Sequence, residues 1–225
     1  MFAPRFIDIV YIVFLLAFMA AMAAAAIYWW WWERKRKEAF WRLARKLGLR
    51  YVSHDYSIPG KYSFLNALRR GRQRYASNVL RGTYKGHRVL AFDYHYRTGS
   101  GKSAHNVNFS FLLLEQEVFF PELRIYPEDV MSKLGQMIGF EDIDFESVEF
   151  SRAFVVRSRD RKFAYDVCHP RMMEFLLQHR DLSLEIEGLC VAISFPRRLK
   201  PEEIPERLRQ LIEVRQLFPQ YLYRA

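Results

Sequence analysis

Between Arg5 and Leu47 the chain contains no glycine and no proline, and from Ile9 to Trp32 it contains no charged side chain. The first absence removes the residues that most readily interrupt a helix. The second removes the polar face that a helix on the surface of a soluble domain needs. Cysteine is also scarce, with only Cys168 and Cys190. Two cysteines cannot build a disulfide framework, and these two lack zinc-ligand spacing. Glycine and proline, at 10 and 9 residues, are too few for a low-complexity linker, and no internal repeat is visible. What remains outside the apolar run has an ordinary globular composition, long enough for one domain with its own core.

The apolar run carries the strongest signal. Ile9 to Ile27 is followed by five aromatics, Tyr28 to Trp32, and then by Glu33-Arg34-Lys35-Arg36-Lys37. A spanning helix needs about 20 apolar residues. Tryptophan prefers the headgroup zone, where its ring is buried and its N–H stays wet. Trp29, Trp30, Trp31 and Trp32 go all round a helix, so they mark a depth rather than a face. With Arg34, Lys35, Arg36 and Lys37 they form the expected membrane interface. A cleaved signal peptide is the rival reading, since Ala21 and Ala23 to Ala26 offer small-residue cleavage sites. Against it, Arg5 is the only basic residue ahead of the run, and the run exceeds the about 7–15 residues of a signal core. The lysine and arginine excess follows the run, which places the N-terminus outside and the rest of the chain in the cytoplasm, at the inner membrane of a cell.

The formal net charge of +10 is unevenly spread. Residues 33–88 carry 16 basic and 3 acidic side chains, whereas residues 89–225 carry 18 basic and 21 acidic ones. A basic segment beside a membrane attracts anionic lipid headgroups, by about 1 kcal/mol per residue held close. Orientation and solubility alone would also account for it. Arg69, Arg70, Arg72 and Arg74 look superficially suited to nucleic acid, but a membrane anchor and an acidic remainder argue against that partner.

Three regions follow from this pattern: an anchor at 1–32, a basic juxtamembrane helix and irregular segment at 33–77, and a cytoplasmic domain at 78–225. Phe40, Leu43, Ala44 and Leu47 give Glu33–Leu47 a helical stripe that continues the span, with Gly48 as terminator. Residues 50–78 read as an irregular excursion with one short helix. Strands are expected over 78–85, 88–97, 107–113, 123–126 and 148–157, the first two joined at Gly86. A helix is expected over 130–138. Another runs over 161–179, with Asp160 as cap and a restart at Pro170. A hairpin is expected about Glu187-Gly188, and a closing helix over 201–217. Hairpin-linked strands with helices make an α+β fold, a mainly antiparallel sheet packed by helices behind the transmembrane helix.

No motif supplies a reaction or a cofactor. Thr98-Gly99-Ser100-Gly101-Lys102-Ser103 resembles part of a phosphate-binding loop. The earlier glycine is missing, Tyr96 standing in its place, and a strand rather than a helix follows. Glu141, Asp142, Asp144, Glu146 and Glu149 lack calcium-loop spacing and read as a solvated edge free to pair with the basic segment. Cys168-His169 are sequence neighbours that do not face each other on a helix. Met172, Met173, Phe175, Leu176 and Leu177 read as a core stripe. One pairing has more consequence. If Tyr94 lies opposite Phe109 and Phe92 opposite Phe111, one sheet face is aromatic and buried. The other then presents Asp93, His95, Asn106, Asn108 and Ser110, either a wet face or a ligand face.

Residues 146–177 carry a likeness. Glu146, Phe150, Arg152, Phe154-Val-Val156, Ser158-Arg-Asp160 and Pro170-Arg-Met-Met173-Glu174 resemble a family of uncharacterised bacterial membrane proteins. Gly82-Thr-Tyr84-Lys-Gly86 and Phe92-Asp93-Tyr94 extend the likeness over most of 78–195. It implies one or two N-terminal spans with a cytoplasmic α+β domain, and implies no activity. Two functions are therefore in view. One is a membrane-tethered interaction or regulatory domain with a protein partner, in contact with lipid. The other is an enzyme or small-ligand domain using the face around Asp93 and His95.

Overall fold

The computed structural model describes residues 6–130 and 142–223. A 42-residue helix, α1 (Phe6–Leu47), runs unbroken through the apolar segment, the tryptophans and the basic block. Then come β1 (Arg50–Asp55), the single-turn helices α2 (Ile58–Lys61) and α3 (Asn66–Arg69), β2 (Arg72–Tyr84), β3 (His87–Thr98) and β4 (His105–Pro127). The second half contains α4 (Val148–Ala153), β5 (Phe154–Ser158), α5 (Arg161–Val167), α6 (Pro170–Gln178), β6 (Ser183–Phe195) and α7 (Ile204–Leu217). Every strand pairing in the described sheet is antiparallel. The chain is an α+β protein: a long apolar helix followed by an antiparallel sheet and its helices.

From Tyr11 to Trp32 every side chain of α1 is exposed, because none of the described residues of the domain covers it. Those residues rise about 33 Å, close to the thickness of a bilayer's hydrocarbon core. It is one helix long and apolar enough to cross a membrane, with a mean hydropathy of 2.3 in its most apolar window. The same helix then enters the domain, where Phe40 and Ala44 are buried and Leu43 and Leu47 pack beside them. Gly48, at φ +69°, ends it; that left-handed turn is one a glycine adopts without strain.

β4 organises the sheet. β6 runs along one side of it, from Ser110↔Phe195 to Ile125↔Leu184. On the other side β3 flanks its first half and β5 its second. One sheet face, with Leu112, Leu114, Ile125, Val191 and Ile193, is covered by the end of α1 and by α4 to α7. The other, with Leu90, Phe92, Tyr94, Phe109 and Phe111, is covered by Ile58, Tyr62, Leu65 and Leu68 of the α2–α3 segment. The register sets Phe92 against Phe111 and Tyr94 against Phe109, as the alternation requires.

Several expectations change. Residues 50–78 are not an irregular excursion: β1 pairs with β2 from Arg50↔Arg81 to Asp55↔Ala76, and β2 begins at Arg72. The β1 residues, Arg-Tyr-Val-Ser-His-Asp, hide the strand because none of them is fully buried; an edge strand carries polar side chains that blunt its exposed edge. The strands expected at 107–113 and 123–126 are one strand, bulged where Glu115 and Phe120 leave the regular register with β6. Residues 148–153 are helical rather than extended, because the Ser147 hydroxyl accepts the Phe150 N–H and caps a turn there. Glu187-Gly188 makes a bulge opposite Phe120 inside β6, not a hairpin, with Gly188 at φ +63°. The helix expected over 130–138 falls, beyond Val130, outside the described residues.

The cap and restart in the second half match the reading. Asp160 accepts the Phe163 N–H at 2.9 Å, and Pro170 opens α6. Asp160→Ala is expected to lower stability by about 1 kcal/mol, measured by urea unfolding of the detergent-solubilised chain. An unchanged unfolding midpoint would show that the cap does not hold α5.

Candidate functional site

The polar row of β3 and β4 assembles under α1. Asp93 lies opposite Ser110 in the β3–β4 register, and both are buried. Ser110 Oγ donates to Asp93 Oδ1 at 2.7 Å, and Asn78 Nδ2 donates to Asp93 Oδ2 at 3.0 Å. Asn78 reaches Asp93 because β2 is bulged between Ser77 and Leu80 and Asn78 takes φ +50°. Asparagine enters that left-handed region more readily than most residues. From α1, Arg36 Nη2 donates to Asp93 Oδ2 and to the Leu199 carbonyl, each at 2.7 Å. Arg36 keeps only 7% of its exposure and Asp93 3%.

A second arginine closes the network. Arg198 Nε lies 3.3 Å from Asp93 Oδ2, and its Nη2 lies 3.2 Å from Glu33 Oε1 on α1. Burial pulls the Arg198 guanidinium down, but Asp93 and Glu33 outweigh burial and hold it above its ordinary pKa. Tyr51 is raised by burial and then by Glu33 and Asp93. The loop supplying Arg198 and the Leu199 carbonyl is braced by Arg197, whose two terminal nitrogens meet Glu203 at 2.9 and 2.5 Å. Glu203 also accepts the Lys200 N–H at 2.7 Å. The Arg197 hydrogen bond, together with the Lys200 N–H and the nearby guanidinium charges, outweighs burial and holds the Glu203 carboxyl down at about 2.

The ligand-face residues named from sequence therefore divide. Asp93 is covered by the anchor helix and accepts from four side chains. His95 and Asn108 lie opposite each other beyond the helix, with His95 Nδ1 3.0 Å from Asn108 Oδ1. Asn106, opposite Arg97, is exposed. The interface residues divide too. Trp29, Trp30, Trp31, Trp32, Arg34 and Lys35 are exposed and Lys37 is half-buried, whereas Arg36 is drawn into the domain. Lys35 Nζ sits 3.7 Å from the Trp31 ring centre, and the Arg34 guanidinium 5.4 Å from that of Trp30. Sequence reading missed Asn78, Arg198 and Glu33. The available signal was an aspartate between Phe92 and Tyr94, which needs a cation or donors only if its own face is covered.

The other marked groups have structural partners. Asp142 pairs with Arg157 and Glu149 with Arg180, each at 2.6 Å, rather than with the basic segment. Cys168 and His169 do not form a dyad, since the His169 Nε2 meets the Leu217 carbonyl at 2.7 Å. Burial raises both thiols, that of Cys190 up to about 12. Glu185, fully buried and raised by that burial, accepts from Tyr126 Oη at 2.7 Å and from the Ala67 N–H at 3.1 Å. It sits at the base of a cavity of about 710 Å³ on the face away from α1, between Tyr96, Phe109 and Arg70. No group of three metal-ligating side chains occurs among the described residues.

Fold and site together describe an antiparallel α+β domain fastened directly to an apolar helix. No family model matches the chain, and no curated protein matches it. Among solved structures, the fold is similar to that of the mycobacterial trehalose monomycolate transport factor A, TtfA. The TM-score is 0.60 at 14% sequence identity, over 82% of this chain and 95% of that one. At that identity the likeness is one of fold.

Arg36→Ala would leave Asp93 buried with less compensation and is expected to cost about 3 kcal/mol, read by chemical unfolding followed by circular dichroism. A loss below about 1 kcal/mol would show that Arg198 alone satisfies the carboxylate. The Glu203 pKa is depressed in the folded chain, so its contribution is present above about 4.5 and is lost as the pH falls towards about 2. Glu203→Gln is expected to flatten that part of an acid-unfolding curve; a curve of unchanged shape would count against the brace.

Proposed function

We propose that this is a single-span membrane protein, N-terminus outside, whose cytoplasmic domain is a non-catalytic docking or regulatory module for a protein partner, in contact with anionic lipid. The observation that carries the reading is the passage of α1, without a break, from a fully exposed apolar run into the buried Arg36–Asp93 contact. A helix that leaves its apolar length uncovered needs a hydrocarbon solvent. A helix tied into the domain holds that domain at the membrane surface. The basic excess just after the tryptophans supports the cytoplasmic side.

The fold likeness supports a role of the same broad kind. TtfA is a factor in the transport of trehalose monomycolate, and we extend to this chain the general idea of an accessory component at a membrane transport or assembly system. The family likeness over residues 146–177 belongs to the same proposal. The enzyme reading centred on Asp93 and His95 loses its floor, because Asp93 is buried among its own donors.

Cysteine labelling with an impermeant maleimide tests the topology. Ala3→Cys is expected to label in intact spheroplasts and Glu213→Cys only after lysis; the reverse pattern would overturn the orientation. A partner-binding role further predicts that the chain elutes from gently solubilised membranes in a defined complex. Elution as a lone protomer would count against it.

A further inference from the structure

We propose that the tip of the β3–β4 hairpin carries a binding site for the phosphate of an anionic lipid headgroup, formed by Arg72 and Arg97 and seated at the depth of the tryptophan belt. The inference rests on reading α1 as a span, and it names the lipid contact that reading leaves general.

The depth follows from two contacts. Near its start in the domain, α1 meets β3 at Arg36–Asp93. Just beyond its end, Leu49 packs on Gly82, whose β2 position pairs with Val89 of β3. The helix and β3 therefore run in opposite directions, and β3 beyond Asp93 heads back towards the span. His95 lies about 6.6 Å past Asp93 at 3.3 Å per strand residue. Trp32 lies about 6 Å before Arg36 at 1.5 Å per helical residue. The His95 row is thus level with Trp32. Arg97, about 13 Å past Asp93, lies within about 3 Å of the level of Trp29, about 10.5 Å before Arg36.

The side chains at those levels suit a headgroup layer. Tyr75 lies opposite His95 with ring centres 4.7 Å apart, and Tyr56 lies 5.8 Å from Tyr75 with 73% of its surface exposed. Such amphipathic rings extend the tryptophan belt sideways. Burial lowers the His54 pKa, and the nearby Lys37 ammonium lowers it a little more, in keeping with a sheet edge beside the first turns after the belt.

At the tip, Arg72 and Arg97 are register partners. Like charges directly opposite each other across two strands repel, and no ion pair is formed by either among the described residues. Together with Gln73, Gly99, Ser100 and Gly101 they line a hollow of about 290 Å³. Arg72 Nη2 donates to the Gly99 carbonyl at 3.2 Å, which holds one guanidinium at the rim. Two arginines lining one hollow offer the donors that phosphate oxygens accept from. At the depth of Trp29, the phosphates present in quantity are those of lipids.

The full chain, reconstituted in vesicles, provides the test. A fluorophore is placed on Ser100→Cys at the tip, or on Arg88→Cys at the far end of β3; the native thiols are buried. Quenching is read with nitroxide carried on lipid headgroups, in phosphatidylcholine with and without phosphatidylglycerol. The expected result is severalfold stronger quenching at position 100 than at 88, increased by the anionic lipid. Arg72→Gln with Arg97→Gln abolishes the increase and leaves the circular dichroism spectrum unchanged. Equal quenching at both positions overturns the depth, and an increase that survives the double variant overturns the site. Loss of the increase in millimolar inorganic phosphate would overturn the lipid assignment in favour of a free-phosphate site. An alkaline carbonate wash separates this from the underlying reading. A chain washed off the vesicles refutes the span itself, whereas a retained chain with an unquenched tip refutes only the lipid site.

Discussion

The arrangement depends on one buried ion pair. Arg36 leaves the basic block that follows the tryptophans and enters the domain to meet Asp93. Taking both charges out of water is costly, and direct attraction offsets that cost only when the remaining hydrogen-bonding capacity is also satisfied. Here it is. Asp93 receives Ser110, Asn78 and Arg198 besides Arg36, and Arg36 also reaches the Leu199 carbonyl. The partners come from α1, β2, β3, β4 and the loop before α7, so a displacement of the helix strands several polar groups at once. Such a contact specifies position more than it adds stability.

That geometry also encloses the Asp93 carboxylate on the side facing the helix. A carboxylate engaged by four side-chain donors has little capacity left for a ligand. His95 lies between Asn108 and the Tyr75 ring, and each thiol is raised by burial. The enclosed polar groups that remain, Glu185, Tyr126 and Asn66, satisfy one another at the base of a cavity on the opposite face.

Much of this was legible in the residues. The apolar run, the aromatic belt and the stripe of Phe40, Leu43, Ala44 and Leu47 prescribe α1. The alternation around Phe92 and Tyr94 prescribes the β3–β4 register. Other elements were hidden for particular reasons. β1 is an edge strand whose polar residues resemble a loop. Phe150 and Phe154 alternate as a strand would, but the Ser147 cap turns the first of them into a helix. Gly188 carries the signature of a turn, yet its left-handed backbone is absorbed by a bulge because β4 continues opposite. The candidate face holds residues in different surroundings. Alternation tells which side of a sheet a residue occupies, but only the packing of α1 decides that Asp93 is covered while Asn106 is not.

The unbroken course of α1 has a mechanical side. With no hinge between the exposed apolar length and the buried Arg36, the helix and the sheet move as one lever. A helix longer or shorter than the local hydrocarbon thickness adjusts by tilting. A tilt of α1 is then a rotation of the whole domain about the tryptophan belt. With α1 as the proposed span, a thin bilayer and a thick one would then present different edges of the same sheet at the surface.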